Sequence, residues 1–207
     1  MGSRVRELFE DPKTAEEIRR KLPRLFRIAE LEHIKGGKLG QEVGNIREQI
    51  IIALLMYKFG KENVEPLPST QSEADVKLFG EPLSVKAGRK YSSFKLSWTV
   101  NGIKADEFLR TYVPRYDLIW VEVSWNKPGG VYYIPHEVQL EVFGLLGREN
   151  YIKLPKPGTN PRGIPIYRNA LKLLMNHPQS LCIPIFWEIP TVDYDPYKKW
   201  VDLWKEE

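Results

Sequence analysis

The spacing of apolar and polar positions in the first half of the chain predicts helices followed by a strand pair. Apolar side chains recur among charges through residues 13–33, which predicts one or two amphipathic helices, with Pro23 as the point where a single helix would break. The stretch IREQIIIALLMYKF predicts a core helix with Asn45 as its N-cap, because its apolar run 50–57 would be covered on nearly all sides. The segments ADVKLF and PLSVKAG, joined through Gly80, predict two paired strands.

Helix and strand patterns alternate through the second half of the chain. NGIKADEFLRTY, HEVQLEVFGLL (opening at His136) and YRNALKLLMNH have helical spacing. YDLIWVEVSW, GVYYI and CIPIFWEI are typical of strands, and the first two would be hinged at Pro128-Gly129-Gly130. This order predicts a mixed α/β (α+β) domain with a central mixed β-sheet flanked by helices. No repeat or clear linker divides the chain, so we expect one domain over residues 1–207.

Length and composition agree with one globular domain of a cytoplasmic protein. A chain of 207 residues with 42% hydrophobic content can bury a sizeable core, and its formal net charge of +4 permits a polyanionic partner. Cys182 is the only cysteine, which excludes intramolecular disulfides and cysteine zinc sites; its setting in LCIPIFWEI predicts a buried strand in a reducing compartment. The sequence has no apolar stretch of about 18 residues and no signal pattern, so we expect a soluble cytoplasmic protein without a membrane partner.

Two acids and a lysine are the candidate chemistry. Asp75 begins one predicted strand, and Lys86 lies in the next strand, eleven positions later. Glu48 lies on the predicted core helix, where its neighbours Ile52 and Leu55 are apolar. Burying a lone carboxylate costs several kcal/mol, so a cation, a metal or a hydrogen-bond network is expected beside it. Two carboxylates and an ammonium that converge would satisfy one another, and hard oxygen ligands suit Mg²⁺.

The segments NIREQII, SEADVKLFG and PLSVKAG, within residues 44–135, resemble the PD-(D/E)xK nuclease superfamily and, within it, the type II restriction endonucleases. The resemblance implies a restriction-endonuclease-like core, with Glu48, Asp75 and Lys86 as catalytic residues. It also implies Mg²⁺, with Mn²⁺ as a substitute, bound by Asp75, Glu48 and the carbonyl of Val85. Ser84 stands where this family has its second acid, so Glu48 is expected to supply the missing carboxylate.

We expect three segments within this domain. Residues 1–35 would be an N-terminal helical segment, 44–135 the catalytic core, and 136–207 a segment that reads DNA and completes the sheet. The core also departs from the family at Ala74, which replaces the proline of the motif.

Other interpretations of these acids remain open at this stage. An aspartate and a lysine on a hairpin are commonly solvent-facing charges, and Glu73 and Glu81 beside them are interpreted as solvent-facing, with Glu81 as an alternative second acid. Asp117 and Glu122 in YDLIWVEVSW form a similar pair, but a serine follows where the lysine is expected. The sequence contains no phosphate-binding P-loop and no dinucleotide fingerprint, so no nucleotide cofactor is expected.

Three basic or glycine-rich segments are candidates for DNA contacts, with ordinary surface loops as the alternative. The candidate residues are Lys38, Leu39, Gln41 and Asn45 before the core helix, Arg89, Lys90 and Lys95 after the lysine strand, and Lys156, Asn160 and Arg162 near residue 160. In the first segment, Leu39 would act as an apolar wedge at a base step.

These observations predict a type II restriction endonuclease that cuts both strands of a short palindromic site as a homodimer. In-line attack of water on the phosphodiester would leave a 5′-phosphate and a 3′-hydroxyl, as the resemblance implies. A junction resolvase or repair endonuclease of the same fold is one alternative, and a non-catalytic DNA-binding domain is another.

Overall fold

The computed structural model describes residues 4–34, 41–68, 73–90, 92–97, 102–153 and 163–206. The α-helices are α1 (Glu7–Glu10), α2 (Pro12–Ile34), α3 (Gln41–Phe59), α4 (Gly102–Thr111), α5 (His136–Leu146), α6 (Arg148–Tyr151), α7 (Arg168–Met175) and α8 (Lys198–Lys205). The strands are β1 (Val64–Pro66), β2 (Val76–Leu78), β3 (Glu81–Arg89), β4 (Lys95–Ser97), β5 (Asp117–Val123), β6 (Pro128–Ile134), β7 (Ile164–Pro165) and β8 (Leu181–Phe186). Short 3₁₀ helices cover Arg4–Arg6 and Lys61–Asn63.

A six-stranded mixed sheet forms the centre of the molecule. Its strand order is β1-β2-β3-β5-β6-β8. Strands β3 and β5 are parallel, and the other neighbouring pairs are antiparallel. A separate antiparallel pair joins β4 to β7. The predicted central mixed sheet flanked by helices is therefore confirmed.

Both faces of the sheet are covered, as the alternation along β5 requires. Ile119 and Val121 point into a core that also contains Phe26 of α2 and Leu55 of α3. Leu118 and Trp120 point into a second core with side chains of α5, α6 and α7. In the part of the chain that the structure describes, no helix is long and apolar enough to span a membrane.

The β2–β3 hairpin places the candidate residues. Its two-residue turn has φ of 51° at Phe79 and 83° at Gly80, and positive φ at both positions is what a type I′ turn needs. The ladder between the strands ends where Val76 pairs with Leu83, whereas β3 continues to Arg89. Among the described residues, no strand pairs with the second half of β3 on the β2 side, which leaves a free edge there, while its other edge pairs with β5.

The structure decides one open expectation about the helices, in favour of a single helix over residues 13–33, and corrects two others. Helix α2 is continuous, because the ring of Pro23 is itself buried and the packing on this face outweighs one missing hydrogen bond. Asn45 is not the N-cap: α3 begins at Gln41, so Asn45 lies on its exposed surface. Helix α3 is also not covered on nearly all sides, since Tyr57 is 68% exposed and lies against Lys21 of α2.

Two expectations about the strands were also wrong. Cys182 is exposed, because β8 is the edge strand and only alternate side chains, Ile183 and Ile185, point into the core. Pro128 to Gly130 is no hinge but the beginning of β6, and the reversal occurs before it, where Asn126 has a φ of 58°. A side chain at Gly129 would meet the Glu122 backbone and the Trp187 ring, so this glycine permits close strand packing.

Candidate active site

Asp75 and Lys86 meet at the free edge of β3. The Lys86 Nζ lies 2.8 Å from each carboxylate oxygen of Asp75. The backbone N–H of Val85 donates to Asp75 Oδ2 at 2.7 Å, and the Ser84 hydroxyl donates to the same oxygen at 3.3 Å. Only 16% of the lysine side chain and 24% of the aspartate side chain are exposed. The pair is therefore a partly buried, hydrogen-bonded group rather than two solvent-facing charges on a hairpin.

Glu48 completes this group from helix α3. Burial raises its pKa to about 7, and the nearby charge of Asp75 adds to the increase, whereas the Lys86 ammonium acts in the opposite direction. The backbone N–H of Ala87 donates a hydrogen bond to Glu48. The structure thus brings all three predicted catalytic residues together, from a helix, a strand end and a strand centre.

A buried ion pair fixes the helix that carries Glu48. The Arg47 guanidinium donates a short hydrogen bond to Glu30 of α2, and both side chains are almost fully buried. The Trp125 indole N–H donates to the same carboxylate at 2.9 Å. Burial lowers the pKa of Arg47, and Glu30 raises it. Because removing either partner would leave an uncompensated buried charge, this pair ties α3 to α2 directly beside the site.

Glu73 is a group that sequence reasoning misplaced. It was expected to be solvent-facing, but it lines a small cavity of about 20 Å³ together with Lys86, Tyr112 and Arg115. Burial raises the pKa of Glu73 to about 7, while Arg115 and Lys86 lower it. The cavity has room for one water molecule between polar groups. In the sequence, Glu73 differs from Glu81 only in which end of the hairpin it occupies.

The remaining acids lie apart from this group. Glu81 is exposed at the turn end of β3, as expected for a solvent-facing residue, and pairs with Leu78 across the hairpin. Asp117 accepts hydrogen bonds from the Tyr133 hydroxyl at 2.6 Å and from the His136 backbone N–H at 2.8 Å. It therefore caps the N-terminus of α5 and has a structural role. Glu122 is half-buried, and its pKa is raised by burial.

The residues predicted to contact DNA fall into two groups. Arg89 is exposed at the end of β3, and its charge lies close enough to Arg47 to lower the pKa of Arg47. Asn45 is exposed on α3, and Lys95 lines the cavity beside Lys86. The Lys90 ammonium donates to the Pro128 carbonyl at 3.1 Å. Gln41 begins α3, but its side chain is not among the described ones. The other five candidates lie outside the described residues: Lys38, Leu39, Lys156, Asn160 and Arg162.

The oxygen atoms at the site fit a hard divalent cation. Asp75 and Glu48 supply two carboxylates. The N–H of Val85 points at Asp75, and because the N–H and C=O of one strand residue point to the same side, its carbonyl faces this edge as well. Among the described residues no group of three or more His, Cys, Asp or Glu side chains is placed to hold a metal ion, so a carbonyl and water would have to complete the set. Two carboxylates, a carbonyl and water form the kind of ligand set that Mg²⁺ takes.

Comparisons with known proteins match nearly the whole chain. A family model described as "Restriction endonuclease ThaI" matches residues 8–206. A solved structure described as "Restriction endonuclease in complex with substrate DNA" is similar with a TM-score of 0.90 and 48% sequence identity, over 99% of this chain and 100% of that chain. A search of curated proteins returned no match. Both similarities include the segments that carry Glu48, Asp75 and Lys86.

Proposed function

We propose a specific mechanism and assembly from the premise that this chain belongs to the ThaI restriction endonuclease family and is a type II restriction endonuclease. In this proposal the protein hydrolyses both strands of duplex DNA at a short palindromic site with Mg²⁺ bound by Glu48, Asp75 and Val85. The observation that carries it is the convergence of Lys86, Asp75 and Glu48 at the free edge of β3. A solved relative with 48% identity is described as being in complex with substrate DNA, which supports DNA as the partner.

The acids and the lysine have different roles in this proposal. A bound Mg²⁺ ion would polarise the scissile phosphate and neutralise charge that develops on it. Asp75 and Glu48 would hold the ion, and Glu48 must release its proton to do so, because ligand carboxylates bind metals in the ionised form. The Lys86 Nζ, held 2.8 Å from both Asp75 oxygens, would orient the attacking water and stabilise the negative phosphate.

The neighbouring groups would hold the DNA strand in place. Arg89 is exposed at the end of the same strand that carries Lys86, and in this proposal it would contact a phosphate beside the scissile bond. Because one chain supplies one such site within the described residues, cutting both strands of a palindrome favours a two-fold homodimer.

Cleavage of a plasmid library and defined oligonucleotides by Asp75→Ala and Lys86→Ala variants tests the catalytic assignment. We expect both to lose cleavage by about 10²–10³-fold or more while they keep folding and specific binding in Ca²⁺. Lys77→Ala is the matched control, since Lys77 is an exposed lysine on the same hairpin whose partner is Glu65. Normal cleavage by either active-site variant, or cleavage by the wild-type protein in excess EDTA, would refute the assignment.

A further inference from the structure

The C-terminal helix α8 exposes a broad apolar face. None of its side chains is buried, and the indole of Trp204 is 90% exposed. At 100° per residue, an arc of about 160° contains every large apolar residue of this segment. These residues, called the α8 face below, are Tyr197, Trp200, Val201, Leu203 and Trp204.

The charged side chains of the helix lie outside this arc. Lys198 and Lys205 flank Asp202, at 2.8 Å and 3.9 Å from its carboxylate oxygens. These charges satisfy one another on the opposite side of the helix. The ammonium of Lys199 lies 5.3 Å from the centroid of the Trp200 ring, at the rim of this face. Because a lysine can extend its ammonium into water, the α8 face can pack against another surface without burying a charge, which would otherwise cost several kcal/mol.

The area of the α8 face is large for a surface left in water. Added together, the exposed fractions of its five residues equal about three fully exposed side chains. At roughly 200 Å² for each large side chain, the exposed area of the face is about 600 Å². That is the upper end of the largest apolar patch on a typical monomer. Two such faces packed together would bury about 1,200 Å², the lower limit of a specific, stable interface.

We propose that the α8 face pairs with the same face of a second copy of this chain, with the two helices antiparallel about a two-fold axis. This inference rests on the proposed function, because cleavage of both strands needs a second active site. A two-fold interface brings one surface patch against its own copy. Trp and Tyr, the residues that most often dominate interface energy, make up three of the five side chains.

The position of α8 suits such a dimer. The Tyr194 hydroxyl, just before the helix, shares a hydrogen bond with Glu32 near the end of α2. Two residues earlier on α2, Glu30 binds Arg47, the neighbour of Glu48. The α8 segment therefore leaves the body of the protein at the same end as the Glu48-bearing part of α3. Pairing there would place both active sites on the same side of the dimer.

Trp200→Glu/Trp204→Glu tests the interface by light scattering and by plasmid cleavage. We expect the wild-type protein to be a dimer and the variant to lose about 30-fold or more in dimer affinity. The variant should also nick supercoiled plasmid at one strand and cut the second strand much more slowly. Leu145→Glu is the control, since Leu145 on α5 is 76% exposed and lies outside the α8 face; it should remain dimeric and linearise the plasmid.

A cross-linking variant tests the same pairing without removing an aromatic ring. Val201 lies midway along the length of the helix, at one edge of the α8 face, so in an antiparallel pair centred there it lies within reach of its own copy. In a Cys182→Ser background, which removes the lone cysteine, oxidised Val201→Cys should form a covalent dimer that still linearises plasmid. A monomeric wild-type protein, a dimeric double-glutamate variant or no cross-link would overturn the interface. Wild-type protein that is dimeric through α8 but cuts no DNA would instead overturn the nuclease proposal.

Discussion

Replacing Glu48 by Gln should remove the loss of stability that the metal-free protein suffers between pH 4.5 and pH 7, while it abolishes cleavage. Burial raises the pKa of Glu48 to about 7 from an ordinary value of 4.5. The folded protein thus keeps a proton that the unfolded chain has released. The free energy of unfolding therefore falls as pH rises between 4.5 and 7, by about 1.4 kcal/mol per pH unit, for a total of about 3 kcal/mol. A glutamine does not titrate, so it removes this loss.

Urea denaturation in EDTA at several pH values measures the effect. The unfolding free energy of Glu48→Gln minus that of the wild-type protein should increase by about 3 kcal/mol from pH 4.5 to pH 7.5 and stay level above that. The pH dependence of this difference is the readout, because an amide beside the Lys86 ammonium also shifts the pH-independent part. Glu81→Gln, a change of an exposed acid on the same hairpin, is the matched control.

Added cation should separate the two proteins further. Mg²⁺ or Ca²⁺ that binds only the folded state stabilises it according to its affinity, by about 2.7 kcal/mol at 100 times the dissociation constant. We expect this increase in the wild-type protein and much less of it in Glu48→Gln. A flat difference across pH would refute the burial of Glu48 as a protonated acid, and equal stabilisation of both proteins by cation would refute its role as a ligand.

Three further changes test separate parts of the structure. Arg89→Ala should weaken DNA binding and lower the slope of log affinity against log salt by about 1 in an anisotropy titration, whereas Lys77→Ala should not change it. Glu30→Ala should lower the free energy of unfolding by about 3–5 kcal/mol in urea, because it leaves Arg47 buried without its carboxylate; a loss below 1 kcal/mol would contradict that. Glu73→Gln should slow cleavage by about 10- to 100-fold at saturating DNA with unchanged binding, because it removes a carboxylate that faces Lys86; an unchanged single-turnover rate would rule this out.

The hairpin and its two catalytic candidates could be predicted because their signals are local. A strand pair around Gly80 fixes which residues oppose each other, and the apolar alternation around Val85 fixes which side Lys86 points to. Glu48 could be predicted because a charge among apolar helix neighbours needs a partner. Its partners were not deducible from spacing alone, since Asp75 and Lys86 lie in the hairpin 27 and 38 residues further along the chain.

What the sequence could not predict depends on tertiary packing. Glu73 differs from Glu81 only in which end of the hairpin it occupies, and Arg115 and Tyr112, which surround Glu73, come from the segment after α4. The start of α3 at Gln41 was missed because Asn45 is a good N-cap residue, and intrinsic preference is a weak guide where a helix can extend further. Both errors depend on the tertiary neighbours of a residue, and the local sequence pattern carries no information about those neighbours.

The serine at position 84 shows how this site differs from the pattern that it resembles. A second acid there would lie on the same strand as the lysine, but the Ser84 hydroxyl instead donates to Asp75 and supports that carboxylate. The second carboxylate comes from α3, a helix whose position depends on the buried contact between Arg47 and Glu30. One proposed metal ligand is thus set by the hairpin and the other by helix packing. Changes in the α2–α3 contact should therefore shift the position of Glu48 at the proposed metal site, while Asp75 and Lys86 stay in place on the sheet.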